Sequence, residues 1–152
     1  MRRHNLLALL FSLCVPLDSF AVSSGDYHFG RAPFNSMLTQ LAVRQTFQDS
    51  HGFLWFLTQS GINVYDGYSV TPYKYSISKA GSISHSSATG IIEDKSGVIW
   101  IATESGLNRF DAASQTFEVF KSRRGKDFQS PASDTIYAIF CDKQGFIWLG
   151  YE

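Results

Sequence analysis

The feature that most constrains how this chain can fold is a unit of sequence that occurs three times. The copies read DSHGFLWFLTQSGINVYD at 49–66, DKSGVIWIATESGLNRFD at 94–111 and DKQGFIWLGYE at 142–152. Each has an aspartate, a glycine three residues later and a tryptophan six residues later, and the first two add a second glycine and a second aspartate. Identities that stay in phase over units of about 45 residues are typical of repeat architectures, so we interpret them as structural repeat positions. These positions are Asp49, Gly52, Trp55, Gly61, Asp66, Asp94, Gly97, Trp100, Gly106, Asp111, Asp142, Gly145 and Trp148.

Each unit is predicted to form four short antiparallel strands. In the second unit the segments TGIIED, VIWIAT, LNRFD and TFEVF are rich in β-branched and aromatic residues, and turn-forming residues separate them. The VIWIAT strand is apolar on both faces and therefore lies between two layers. A meander that its neighbours must cover on both faces is a blade of a β-propeller. The predicted fold class is all-β, a partial β-propeller made of four-stranded antiparallel meander blades, preceded by a signal peptide.

The repeated tryptophans and aspartates have a structural and a functional interpretation. Trp55, Trp100 and Trp148 lie in the most apolar strand of each unit, which favours packing between blades over an exposed platform for sugars. The first aspartate of each unit precedes a turn that ends in glycine, which favours bonds to its own turn backbone over metal ligation. The sequence therefore indicates no catalytic, cofactor-binding or metal-binding residue, and no cofactor.

The N-terminus has the pattern of a secretory signal peptide. Two arginines precede an apolar run at 6–17, and small residues lead to a cleavage site after Ala21. An uncleaved anchor is the alternative, although the run is short for a spanning helix. Lipoprotein processing at Cys14 is disfavoured because Leu13 precedes it, where a small residue is needed. We expect the mature chain to begin at Val22 in the periplasm.

Composition narrows the function classes. The 13 basic and 13 acidic residues balance, so no nucleic-acid partner is indicated, and the basic stretch 121–126 is interpreted as a solvated loop. Once Cys14 has left with the signal, Cys141 is the single cysteine, and its apolar neighbours favour a small core residue over a nucleophile. The sequence has no hydrolase elbow, phosphate-binding loop or metal-spaced His/Cys cluster. This segment is therefore predicted not to be an enzyme.

The connectors between units are the remaining place for a ligand. Residues 76–88 and 121–134 are interpreted as ordered crossovers to the next unit, and loops of this kind usually form the ligand face of a propeller. His85 and Ser84 could contact a ligand there, although a solvated histidine is the alternative, so the ligand-binding residues stay unknown. His51 lies at a turn position that the other units fill differently, and His28 precedes the repeats; neither indicates a role.

The pattern D-x-x-G-x-I/L-W-x-x-T-x-x-G-I/L-N-x-Y/F-D resembles the two-component regulator propeller repeat, over about residues 38–152. The sequence Asp66-Gly67-Tyr68 also resembles the end of that family's opening blade. The small residue that usually follows the tryptophan strand is replaced by Leu57 in the first unit, which suggests that this blade packs differently. Tyr151 stands where the other units have threonine.

The resemblance implies a function. Such propellers are the periplasmic sensor of a membrane-bound signalling protein, with a transmembrane helix and a histidine kinase or diguanylate cyclase downstream. It implies a small-molecule or carbohydrate ligand, the remaining propeller blades and a dimeric inner-membrane parent as partners, with membrane contact only through that downstream part. The alternative is a fragment of a secreted propeller enzyme, of lyase or lactonase type, with its active site in other blades.

The expected organisation follows from the repeat register. Because a ring needs four to eight blades, we expect the third unit to be incomplete and the chain to be part of a longer protein, or else a truncated gene product. The predicted segments are a signal peptide at 1–21, a lead-in at 22–37, blade 1 at 38–76, blade 2 at 77–122 and the start of a truncated blade 3 at 123–152.

Overall fold

The computed structural model describes residues 34–122 and 130–151 of the chain. The predicted signal peptide with its cleavage site, Cys14, His28 and the basic residues at 123, 124 and 126 lie outside this part. A short 3-10 turn at Asn35–Met37 precedes ten strands in the described residues. The strands are β1 Val43–Gln48, β2 Leu54–Thr58, β3 Gly61–Tyr65, β4 Val70–Tyr73, β5 Ala88–Glu93, β6 Ile99–Thr103, β7 Gly106–Asp111, β8 Thr116–Phe120, β9 Ala138–Cys141 and β10 Ile147–Gly150.

The strands form one sheet for each repeat unit. Strands β1 to β4 pair in sequence order as an antiparallel meander, β5 to β8 form a second meander, and β9 pairs with β10 in a third sheet. These sheets confirm the predicted all-β fold class of four-stranded antiparallel meanders. The predicted domain boundaries stay a prediction, although each sheet lies inside its predicted segment. Within the described part of the chain, no helix is long and apolar enough to cross a membrane.

A repeated glycine sets the tight turn between the second and third strands of a unit. Gly61 has φ +128° and Gly106 has φ +132°, in the region that side chains rarely adopt. A Cβ at Gly61 would lie 2.6 Å from the carbonyl oxygen of Tyr73, and one at Gly106 would lie 2.9 Å from that of Phe120. The fourth strand therefore passes too close to this turn for any residue larger than glycine.

The first two sheets pack face to face through aromatic side chains. Trp55, only 2% exposed, makes an edge-on contact with the Phe110 ring of the second sheet at a centroid distance of 5.1 Å. Tyr73 meets Phe117 edge-on at 5.3 Å. Ile101, on the tryptophan strand of the second sheet, is fully buried in the same cluster. Contacts of this kind contribute beyond the area they bury, by about 0.5–1.5 kcal/mol per ring pair.

The first strands of successive sheets lie next to each other. Strand β5 contacts both β1 and β9. The approach to β9 is close, because a Cβ added at Gly90 would lie 2.8 Å from Cγ2 of Ile139. The first strands β1, β5 and β9 thus follow one another as neighbours, as the inner strands of propeller blades do.

Burial varies among the repeat tryptophans. Trp55 is 2% exposed between the first two sheets, whereas Trp100 is half-buried and Trp148 is 62% exposed. No described strand covers the third sheet as the second sheet covers Trp55, so packing of Trp148 between blades stays a prediction. The prediction that Cys141 is a core residue is wrong, because Cys141 is half-buried and its thiol lies 3.7 Å from the Asp142 carbonyl oxygen.

Candidate functional site

The strands place the loops of each unit at two ends of the sheets. The turns that follow the first and third strands lie at one end, which we call the turn face. The turns that follow the second strands, at 59–60 and 104–105, lie at the other end with the described parts of the connectors, 74–87 and 130–137. We call this second end the connector face. The connectors that lie there are the segments predicted to contact a ligand.

A buried polar network fixes the connector 74–87, which leads into the second unit, beneath the connector face. The Asn108 side chain, 0% exposed, accepts a hydrogen bond from the Ser84 amide at 2.8 Å and donates one to the Ser84 hydroxyl at 2.9 Å. That hydroxyl lies 2.8 Å from the Thr103 hydroxyl, which donates to the carbonyl of Gly106 at 2.9 Å. Ser84 is therefore buried and engaged, so the prediction that it could contact a ligand is wrong.

The same network occurs in the first unit. Asn63 accepts from the Thr39 amide at 2.9 Å and donates to the Thr39 hydroxyl at 3.0 Å, while Thr58 donates to the Gly61 carbonyl at 2.8 Å. Each member lies 45 residues before its counterpart. Sequence reasoning missed this network, although the in-phase asparagines and threonines were its signal.

Above the network, four polar side chains from two sheets meet at the connector face. Arg44 of β1 donates from Nη1 to the Ser87 hydroxyl at 3.1 Å, and that hydroxyl donates to Glu104 Oε1 at 2.7 Å. The Ser87 amide donates to His85 Nδ1 at 3.2 Å, and Nδ1 lies 4.0 Å from Glu104 Oε2. We call Arg44, His85, Ser87 and Glu104 the junction cluster.

The junction cluster combines groups that can bind a polar molecule. The side chains of His85 and Glu104 are 42% and 43% exposed, and Arg44 is also exposed. Because Nδ1 of His85 accepts the Ser87 amide, Nε2 is the ring nitrogen that can donate to a ligand. The guanidinium has further N–H groups beyond the one that Ser87 uses. The cluster therefore offers donors and a carboxylate acceptor, but its only buried hydroxyl, Ser87, is hydrogen-bonded to the carboxylate.

A bulge in the first strand places Arg44. The pairing of β1 with β2 shifts register between Val43 and Gln45, so Arg44 is the extra residue. The same shift occurs in β5 at Thr89, whose hydroxyl donates to the carbonyl of Ile136 in the following unit at 2.6 Å. Bulges bend the strand and re-aim a side chain, and here both bulged residues reach across to the next unit.

The repeat aspartates occupy the turn face. Asp94 Oδ1 accepts the amides of Ser96 at 2.8 Å and Val98 at 3.0 Å, and Oδ2 accepts the Trp100 indole N–H at 2.8 Å. Burial acts to raise the pKa of Asp94, but the bonds from Trp100, Val98 and Ser96 outweigh it and leave that pKa lowered. Each carboxylate is thus used by its own turn.

The first aspartates of the other two units, Asp49 and Asp142, also accept the indole N–H of the tryptophan in their own unit. The Trp55 indole donates to Asp49 at 2.8 Å, and the Trp148 indole donates to Asp142 at 2.7 Å. The Trp148 indole, followed by the turn amides, holds the pKa of Asp142 below its ordinary value. Sequence reasoning missed these indole bonds, although a constant spacing of six residues was their signal.

The turn face also holds a cavity between the first and second sheets. It has a volume of about 290 Å³ and is lined by apolar side chains such as Phe53 and Phe110, with His51 and Asp66 among its polar residues. Asp66 accepts the amides of Tyr68 at 2.8 Å and of the following serine at 2.6 Å, so its carboxylate is engaged within its own turn. The cavity thus has mainly apolar walls, and Asp66 adds no open carboxylate to them.

Comparison with known proteins places these features in a family context. The family model described as Two component regulator propeller matches residues 82–105 and 130–152. The extracellular domain of a protein described as a hybrid two component system, BT3049 from B. thetaiotaomicron, is 33% identical over 68% of this chain, with a TM-score of 0.59. Two structures of the extracellular domain of BT4673 from the same organism are 28% identical over 68% of this chain. One describes it as a one component system and the other as a hybrid two component system, with TM-scores of 0.57 and 0.56.

The chain spans only a small part of these structures, 15% of the first and 14% of the other two. No curated protein matches it.

Proposed function

Since residues 82–105 and 130–152 are two-component regulator propeller repeats, we propose that this chain is the periplasmic, ligand-sensing propeller segment of a membrane-bound signal transduction protein. The observation that carries the proposal is the likeness of its sheets to extracellular domains of proteins described as two component systems. The segment itself is non-catalytic, and the parent supplies the output domain, a histidine kinase or a diguanylate cyclase.

The position of the junction cluster supports its role as the ligand-binding site. It lies on the connector face, where residues from successive sheets meet, so a molecule bound there contacts two units at once. A ligand that contacts both units changes the free energy of their relative arrangement, which is what a sensor needs if it is to pass a signal onward. We therefore propose that Arg44 and His85 donate to the ligand and that Glu104 accepts from it.

The chemistry of the cluster supports binding without turnover. Catalysis by a serine or histidine needs a nucleophile whose proton passes to an adjacent base. Here the Ser87 hydroxyl does have a neighbouring carboxylate, Glu104, but Ser87 is only 7% exposed and presents little surface to a substrate. The arrangement thus favours recognition of a small polar or carbohydrate ligand.

Ligand screening by NMR tests the proposal on the full chain. Mono- and disaccharides, with and without carboxylate groups, are titrated into 15N-labelled protein, and we expect shift changes at Arg44, His85 and Glu104. Arg44→Ala should abolish them. The matched control is Arg109→Ala, because Arg109 of β7 is also exposed but pairs with Glu118 of β8 at 2.7 Å.

Two outcomes would contradict the proposal. Shift changes confined to the cavity at His51 would move the site to the turn face. Conversion of a bound sugar to a new product, seen in its own NMR spectrum, would contradict the non-catalytic assignment and favour a propeller enzyme.

A further inference from the structure

The cavity between the first and second sheets at the turn face has aromatic walls. The rings of Trp55 and Phe110 line it, with their planes 82° apart and their centroids 5.1 Å apart, so they form two nearly perpendicular sides. Phe53 adds a third aromatic side chain, which is 40% exposed. Enclosures made of several aromatic rings bind quaternary ammonium groups in proteins, because the ring faces carry partial negative charge.

The carboxylates around the cavity add negative charge. Asp49 and Asp66 line it, and its described lining residues include His51 but no lysine or arginine. Neither aspartate belongs to a described salt bridge. The Ser69 amide, followed by the Tyr68 amide, holds the pKa of Asp66 below its ordinary value, so this carboxylate keeps its charge at neutral pH. The cavity therefore favours a cation over a neutral molecule or an anion.

The hydrogen bonds of these carboxylates decide which kind of cation fits. Asp49 accepts two turn amides and the Trp55 indole N–H. Asp66 accepts two turn amides and the Ser69 hydroxyl, so each of the four carboxylate oxygens already has a protein donor. A primary ammonium brings three N–H donors that would compete for these oxygens. A trimethylammonium group has no N–H donor, so it gains the negative potential without leaving a donor unpaired.

The size of the cavity agrees with this choice. Its volume is about 290 Å³. An apolar cavity of roughly 150 Å³ holds benzene, so this one has room for a trimethylammonium group with a short substituent.

The fold of the repeat does not require these residues. Phe53 and Val64 line the cavity, and their counterparts 45 residues later are Val98 and Arg109. The second unit thus has an aliphatic side chain where the first has an aromatic one, and a cation where the first has a valine. Both units nevertheless form the same four-stranded sheet. The aromatic and acidic character therefore belongs to this junction and not to the blade architecture.

We propose that this cavity binds the trimethylammonium group of a small organic cation, as a second site separate from the junction cluster. The aromatic rings supply cation–π contacts, and the two carboxylates supply the negative potential. No residue of the junction cluster lines the cavity. The inference therefore does not rest on the proposed sensor function.

Titration of the 15N-labelled full chain with choline, at constant ionic strength, tests the proposal. One control is the uncharged alcohol in which a carbon atom replaces the choline nitrogen, and the other is ethanolamine, the primary-ammonium analogue. We expect choline to shift the Trp55 indole and His51 amide resonances and to bind at least about tenfold more tightly than either control. Equal affinity for either control would overturn the proposal, and so would unchanged resonances at about 10 mM choline.

Two variants copy residues that the second unit carries at the same positions. Phe53→Val removes one aromatic wall, and Val64→Arg places a cation at the cavity. We expect each to weaken choline binding by at least about tenfold. Val119→Arg is the matched control, because Val119 is 37% exposed on β8 and does not line the cavity, and it should bind choline as the native chain does.

Native affinity for choline in either folded variant would overturn the assigned site. Circular dichroism checks the fold, and if Val64→Arg does not fold, Phe53→Val decides. Saccharide-induced shifts at Arg44 and Glu104 are a separate readout, so this proposal and the proposed function can each fail alone.

Discussion

Replacing Asn108 by alanine should destabilise the second sheet more than the replacement of one polar side chain usually does. Asn108 is completely buried and has four hydrogen-bond partners: its oxygen accepts the Ser84 amide, and its two N–H groups are shared among the Ser84 hydroxyl and, at 3.2 Å, the carbonyls of Ile101 and Gly106. After the substitution the Ser84 hydroxyl keeps Thr103, and the Gly106 carbonyl also keeps Thr103. The Ser84 amide loses its side-chain acceptor, the Asn108 oxygen.

The expected loss follows from these partners. A buried amide without an acceptor costs about 1–3 kcal/mol, and the space left by the shortened side chain adds about 1 kcal/mol. We therefore expect Asn108→Ala to lower the free energy of unfolding by about 2–4 kcal/mol. The measurement is urea denaturation of the full chain, followed by circular dichroism and tryptophan fluorescence, with an unchanged slope.

Arg109→Ala is the matched control, because Arg109 is the next residue along β7 and its side chain is half-exposed. Its ion pair with Glu118 lies at the surface, where such pairs contribute less than about 1 kcal/mol. Asn63→Ala should behave like Asn108→Ala, since Asn63 holds Thr39 in the same way. If Asn108→Ala costs no more than Arg109→Ala, the buried network does not fix the connector and the reasoning is refuted.

Three further predictions concern packing, pH and export. Gly90→Ala should cost about 1–3 kcal/mol, because its Cβ would lie 2.8 Å from Ile139 Cγ2, and a denaturation midpoint equal to that of the native chain would contradict the close approach of β5 and β9. The pKa values of Asp94 and Asp142 are lowered from 3.8, so their contribution to stability is present above that pH and is lost as the pH falls below it. Thermal unfolding should therefore depend less on acid pH in Asp142→Asn than in the native chain, and equal dependence would count against the indole bond. Mass spectrometry of the exported protein should find Val22 at the mature terminus, whereas an intact Met1 would contradict cleavage of a signal peptide.

The fold was predictable because its determinants are local and repeated. The turn that begins at Asp94 and the strand around Trp100 can be recognised within one unit, and the 45-residue period shows that units stack. Whether Trp148 is buried depends on the next sheet and not on the residue itself, so the repeat pattern within one unit does not specify it.

The candidate site was harder to predict. Ser84 and His85 are neighbours in a serine-rich connector, and their sequence context gives no sign that one is buried and the other exposed. Arg44 lies 41 residues earlier and joins the cluster only through a bulge and the contact between first strands. Contacts between units depend on how the sheets are placed, which residue spacing within one unit does not specify.

The claim on which the account rests is that successive repeats pack face to face around neighbouring first strands. Nuclear Overhauser spectroscopy of the full chain, with labelled aromatic rings and isoleucine methyl groups, tests it directly. We expect cross-peaks between the Trp55 indole and the Phe110 ring, whose centroids are 5.1 Å apart, and between Gly90 and the Ile139 methyl group. Cross-peaks within each sheet but none between Trp55 and Phe110 would show that the units fold without stacking, and would contradict the account.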